Sequence, residues 1–112
     1  MVVTVKRDDD IRVVEINGSL DIEGADVMSK EVTKLIDTKS LILSMENCPY
    51  VASSGLRSLL VLAKTAKAKG VCVVYANMVP EVMDIIEMTG FDNLIQHVPT
   101  LEEAEKVIRD AK

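Results

Sequence analysis

Residues 51 to 57 read VASSGLR, two hydroxyls and a glycine at the apparent start of a helix, directly after an apolar run. The amide N–H groups of a first helical turn lack intrahelical partners, and the helix dipole adds roughly half a positive charge there, so the position welcomes an anion. Ser53 or Ser54 can cap the helix, a contribution on the order of 1 kcal/mol, and one serine suffices for that. A second hydroxyl, followed by Gly55 with no side chain to obstruct approach, is what a kinase needs to reach a serine and leave its phosphate on the helix amides. Arg57 lies three residues after Ser54 on the same helix, within side-chain reach of the acceptor, where it can present Ser54 or bind a partner carboxylate.

Other chemistries find less support. A serine nucleophile needs a base and a group to orient that base. His97 is the only histidine, and no GxSxG elbow surrounds Ser54. One histidine with two distant cysteines, Cys48 and Cys72, falls short of a zinc set, and Asp8 to Asp10 reads as an acidic turn rather than a cation site. The phosphate-binding patterns GxxxxGK[ST] and GxGxxG are missing, so intrinsic phosphoryl transfer is not expected. With one Phe, two Tyr and no Trp, there is no aromatic platform on which bases or sugars could stack. The residues point to a protein that is not an enzyme and carries neither cofactor nor metal.

At 112 residues and 48% hydrophobic composition, the chain can build the core of one domain. A net charge of -5 opposes nucleic-acid binding, which needs clustered cations. The cysteines stand in apolar surroundings without CxxC spacing, as buried thiols of a reducing compartment do. No run approaches the roughly 18 apolar residues that cross a bilayer, and MVVTVKRDDD lacks the order of a signal peptide, so no membrane insertion and a cytoplasmic location are expected.

Around the serines the chain alternates strands and helices. VVTVK (2 to 6) and IRVVEI (11 to 16) have the period of two of a hairpin, turning through Asp8, Asp9 and Asp10. From about Gly24, Ala25, Met28, Val32, Leu35 and Ile36 form a helical stripe. LILSM (41 to 45), apart from Ser44, and VCVVY (71 to 75) are apolar on both faces and suit parallel strands covered by helices on at least one side. Between them Leu56, Leu59, Leu60, Ala63 and Ala66 repeat at three and four, lysines gather towards the end, and Gly70 closes the helix. Pro80 suits a first helical position and Gly90 a stop, a short strand is expected at 94 to 97, and Thr100 with Glu103 has the spacing of a capping box. The sum is an α/β domain, a mixed sheet of four to five strands with about four helices packed mainly on one side.

LILSMENCPYVASSGLRSLLVLAKTAKAKG resembles the central block of STAS domains, the family of bacterial anti-sigma factor antagonists. VVEINGSLDIEGADVM is similar to its amino-terminal block, and VCVVYANMVPEVMDIIEMTGFDNLIQHVPTLEEA to its usual ending. The resemblance implies a single STAS domain over 1–112 that acts as a partner switch. Unphosphorylated, such a protein binds an anti-sigma factor with serine kinase activity. Phosphorylated on the serine before the glycine, it lets go, and a phosphatase is the enzyme that would reset it. Carried over, the acceptor is Ser54, Ser53 is the adjacent hydroxyl, and Asp21 matches an acidic position close to the site. Two residues depart from the family pattern, Ala52 and Ser44 standing where it commonly has aspartates. The lost carboxylate at 52 removes a like charge from a future phosphate, and with it a group that could orient the hydroxyl. The competing class is an unphosphorylated STAS scaffold or small-ligand-binding subunit, for example of a phospholipid-transport complex. A serine hydrolase, the third class, requires His97 near Ser54.

Overall fold

Five strands form one mixed sheet in the computed structural model, which describes residues 1–111. β1 (Val2–Asp8) and β2 (Ile11–Asn17) are the antiparallel hairpin expected from the alternation, and its turn is held where the Asp9 carboxylate accepts the Ile11 amide at 3.1 Å. The chain continues through α1 (Ile22–Val27), β3 (Ser40–Asn47), α2 (Ser53–Ala68), β4 (Val73–Ala76), α3 (Pro80–Met88), β5 (His97–Val98) and α4 (Leu101–Asp110). The strands lie side by side in chain order, and β2 to β5 run parallel.

Alternation along β3 divides the core. Leu41, Leu43 and Met45 pack with Met28 and Val32 after α1, with Leu59 and Leu62 of α2 and with Val82 and Ile86 of α3. Ile42 faces the other way, with Val13 and Val74, against Ala104 and Ile108 of α4. Both faces are therefore covered, which explains why LILSM is apolar on both faces except at Ser44. Helices α1 to α3 share one side and α4 stands alone on the other, as the expected architecture has it.

Three local features differ from the sequence expectation. The first helix opens at Ile22 rather than near Gly24, and after Val27 it loosens into a π-helical turn over Met28–Val32 and a 3-10 turn over Thr33–Leu35. Thr33 directs both its amide and its hydroxyl to the Met28 carbonyl five residues back. A wider turn keeps Met28, Val32 and Ile36, spaced by four, on one buried line. The strand expected at 94 to 97 shrinks to His97–Val98, because Phe91–Asn93 forms a 3-10 turn whose Phe91 carbonyl takes the amides of Leu94 and Ile95. VCVVY yields a strand only from Val73 onward.

Charge pairs fasten α4 to the hairpin. Arg7 donates to both oxygens of Glu105, at 3.1 and 2.9 Å, and Arg109 donates to Glu105 and to Asp10, each at 2.8 Å. Hydrogen bonds from Arg7 and then Arg109 hold the Glu105 carboxyl down at about 2, and Arg109 does the same for Asp10, also about 2. At the sheet's outer border β1 carries a bulge, its register with β2 shifting between Val5 and Arg7.

Candidate functional site

The mouth of α2 is made by two loops stapled to each other. Leu20 and Val51 form a single parallel bridge, in which the Leu20 amide donates to the Tyr50 carbonyl at 2.9 Å and the Ala52 amide to the Leu20 carbonyl at 3.0 Å. One residue beyond the bridge stand Asp21 and Ala52, each the N-cap residue of a helix, so α1 and α2 start side by side. The Asp21 carboxylate accepts the Gly24 amide at 2.9 Å and thereby caps α1. Asp21 thus sits beside the serine loop, where the family resemblance puts an acidic residue.

Neither serine caps α2. The N-cap is Ala52, with no side-chain cap hydrogen bond, and Ser53 and Ser54 are the first two helical residues. Ser53 is exposed. Ser54 is half-buried, and its Oγ is fully buried with no hydrogen-bond partner within the described residues. The hydroxyl of the expected acceptor is therefore turned inward, and a rotation about its Cα–Cβ bond is needed to bring it out. Gly55 is buried, and its missing side chain serves the fold rather than an approaching partner: a β-carbon there would collide with the Leu20 carbonyl. Ser58, one turn on, is engaged, donating to the Gly55 carbonyl at 2.7 Å.

Beside the serine a groove of about 390 Å³ opens between the first helix and α2, lined by Ile22, Ala25 and Asp26 on one wall and by Ser54, Arg57 and Val61 on the other. Two of its apolar residues stand in water, Ile22 at 78% exposure and Val61 at 49%. Arg57 is exposed on the same wall as Ser54, as its spacing predicts, and its guanidinium forms no ion pair among the described residues. Ile22 and Val61 do not stand out in the sequence, since neither belongs to an inward apolar stripe; an isoleucine directly after a capping aspartate is the one signal there.

The remaining candidates lie elsewhere. Ser44 is buried, follows Ile42 in the alternation towards the α4 side, and accepts a hydrogen bond from Asn77 Nδ2 at 3.2 Å. It is absent from the groove at Ser54, so its departure from aspartate does not alter that lining. His97 lines a different cleft with Met78, Met83 and Pro99, so the structure does not assemble Ser54 and His97 into a catalytic pair. Cys48 and Cys72 are free thiols; burial pushes the Cys48 pKa up, and its thiol donates to the Tyr50 carbonyl at 3.4 Å. No helix among the described residues is long and apolar enough to cross a membrane.

Comparison with known proteins decides the family. A model of the STAS domain matches residues 2–104. The chain belongs to the STAS family. Its fold is that of solved STAS proteins. An anti-sigma factor antagonist from Mycobacterium paratuberculosis superposes with a TM-score of 0.85 at 21% identity, over 96% of this chain and 93% of that one. The anti-sigma factor antagonist SpoIIAA in its unphosphorylated form gives a TM-score of 0.77 at 18% identity, over 97% of each chain. Murine Slc26a9, an anion transporter, gives 0.78 at 19% identity, over 90% of this chain but only 18% of the transporter. The STAS fold thus occurs both as a small protein and as a portion of a much larger one.

Proposed function

We propose that this chain is an anti-sigma factor antagonist, a non-catalytic partner switch of the cytoplasm, with 1–112 forming a single STAS domain. Its unmodified α2 mouth binds an anti-sigma factor with serine kinase activity, and phosphorylation of Ser54 releases that partner. The observation that carries the reading is the serine at the open end of α2, beside a groove whose exposed Ile22 and Val61 give a partner apolar area to bury. Asp21, Ser53, Gly55 and Arg57 build or border that surface.

In the transfer step the Ser54 oxygen attacks the γ-phosphorus of ATP. An Oγ–P bond forms, the bond from that phosphorus to the β,γ-bridging oxygen breaks, and ADP and the hydroxyl proton depart. The ester adds about -1.5 to -2 charges. Pressed against a surface that had received a hydroxyl, the bulkier charged ester must shed its water there, which costs several kcal/mol, and about 1.4 kcal/mol is already tenfold in affinity. The partner is lost while the core stays in place.

The test pairs intact-mass analysis after incubation with cell extract and ATP with a pull-down of wild type against Ser54→Asp. A single phosphate mapping to Ser54, and an anti-sigma kinase held by wild type but not by the variant, are the expected results. A variant that keeps every companion attached overturns the proposal. A second reading, an unphosphorylated STAS scaffold or ligand-binding subunit, is favoured by the inward, unpartnered Ser54 hydroxyl and by Ala52. It requires that no phosphate reach Ser54 in the same incubation.

A further inference from the structure

The longest helix of the molecule begins without a cap. Asp21 caps α1 and Thr100 caps α4, its Oγ1 accepting the Glu103 amide at 3.1 Å, but α2, 16 residues long, starts behind Ala52. The Ala52 amide is taken by Leu20, and the Ala52 carbonyl receives Leu56. The amides of Ser53, Ser54 and Gly55 in between have no partner among the described residues, as expected where the cap side chain is a methyl group. The first turn contains no acidic residue, so no side-chain charge there answers the dipole. Into this turn Ser54 brings a hydroxyl whose oxygen is buried and unpartnered.

We infer that phosphate on Ser54 is the cap this helix lacks, so that phosphorylation raises the folding stability of the chain as well as releasing its partner. The inference rests on Ser54 being the phosphoacceptor. Ser54 is the second helical residue, from which an ester turned outward sets three acceptor oxygens against the open amides of its own turn. The same rotation withdraws the buried oxygen from a place where nothing receives its proton. Arg57, three residues on, gains an anion within reach. An aspartate at position 52 would do part of this work in the unmodified chain; with Ala52, the modification does all of it.

The experiment uses the full chain with phosphoserine installed at position 54 by codon expansion, the unmodified chain, and Ala52→Asp in both forms. Phosphorylation is expected to raise Tm by about 4 °C or more, the size of shift one good cap gives a domain of this length. Ala52→Asp should raise Tm in the unmodified chain and reduce the gain from phosphate to less than half, because the two groups compete for the same amides. The amide proton signals of Ser54 and Gly55 should move downfield on phosphorylation. An unchanged or lower Tm, fully additive gains, or unmoved amide signals would each overturn the inference. None of these readouts involves a partner. Loss of the partner with a flat Tm removes the capping role and leaves the switch standing, whereas a raised Tm with no phosphate ever reaching Ser54 in extract removes the switch.

Discussion

The Leu20 carbonyl oxygen occupies the place that a β-carbon on Gly55 would need, while accepting the Ala52 amide at 3.0 Å. This contact sets how closely the loop after β2 approaches the mouth of α2. Replacing glycine by alanine inside a helix ordinarily adds about 1 kcal/mol of stability. Here the sign reverses, because the colliding atom belongs to backbone that is itself hydrogen-bonded. Gly55→Ala should cost about 1 to 3 kcal/mol in urea unfolding, with the amide signals of Leu20 and Ala52 displaced. A neutral or stabilising result would show that the two loops can part freely.

Ser54→Ala deletes a buried hydroxyl that nothing satisfies. Unlike most buried substitutions, it should leave stability unchanged or raise it by up to about 1 kcal/mol, since an orphan polar group carries its desolvation penalty without return. It should also abolish labelling by ATP and keep the partner bound. A loss above about 1 kcal/mol in denaturant titration would mean that the hydroxyl has a partner in solution.

Arg57→Ala should leave stability within about 0.5 kcal/mol, as befits an exposed side chain without an ion pair. If Arg57 meets a partner carboxylate, affinity measured by calorimetry falls by roughly tenfold. Unaltered affinity together with an unaltered phosphorylation rate removes Arg57 from the site.

Glu105 and Asp10 have folded-state pKa values of about 2, below the unfolded values of about 4.3 and 3.9. A depressed carboxyl contributes stability above its unfolded pKa and loses it as pH falls through the folded one. The fastening of α4 to the hairpin is therefore intact at neutral pH and weakens from about pH 4.5 down to about 2. Thermal melts should show a decline over that window, shallower in Glu105→Gln. Asp10 is exposed and Glu105 partly so, and added salt should also flatten the decline.

Tyr75 is buried within the sheet and donates its hydroxyl proton to the Leu59 carbonyl of α2. Burial pushes the phenol pKa up, so the donor is never lost to ionisation at ordinary pH. Tyr75→Phe should lower stability by about 1 kcal/mol in urea unfolding without affecting the groove.

Much of this architecture is legible in the chain. Pro80 opens α3 and Gly90 follows it with φ of +77°, Thr100 caps α4, and the apolar run of β3 announces a strand covered on at least one side, which the structure extends to both. These signals are local, and each residue type states its own geometry. Most of what could not be read was set at long range. Which residue caps α2 depends on Leu20, 32 positions from Ala52, whose carbonyl takes the Ala52 amide and so places the N-cap one residue before the first serine. The groove is equally hidden, since Ile22 and Val61 fit no inward stripe and acquire meaning only when the first helix and α2 lie side by side. The shortness of β5 follows from the 3-10 turn at Phe91–Asn93, a competition between neighbouring hydrogen bonds that composition does not reveal.

The bulge in β1 has a consequence for how the molecule behaves in company. An uninterrupted outer strand is a template on which a second chain can lay down its own backbone, and Val2 and Val5 are exposed on this one. The irregularity between Val5 and Arg7 breaks the even spacing of free amides and carbonyls that such growth requires, and it does so next to two cations. At the opposite border β5 pairs through only two residues. Neither margin offers a long flat seam, so the sheet ends where the fold ends, and crowding alone gives it little means of lengthening into a fibre.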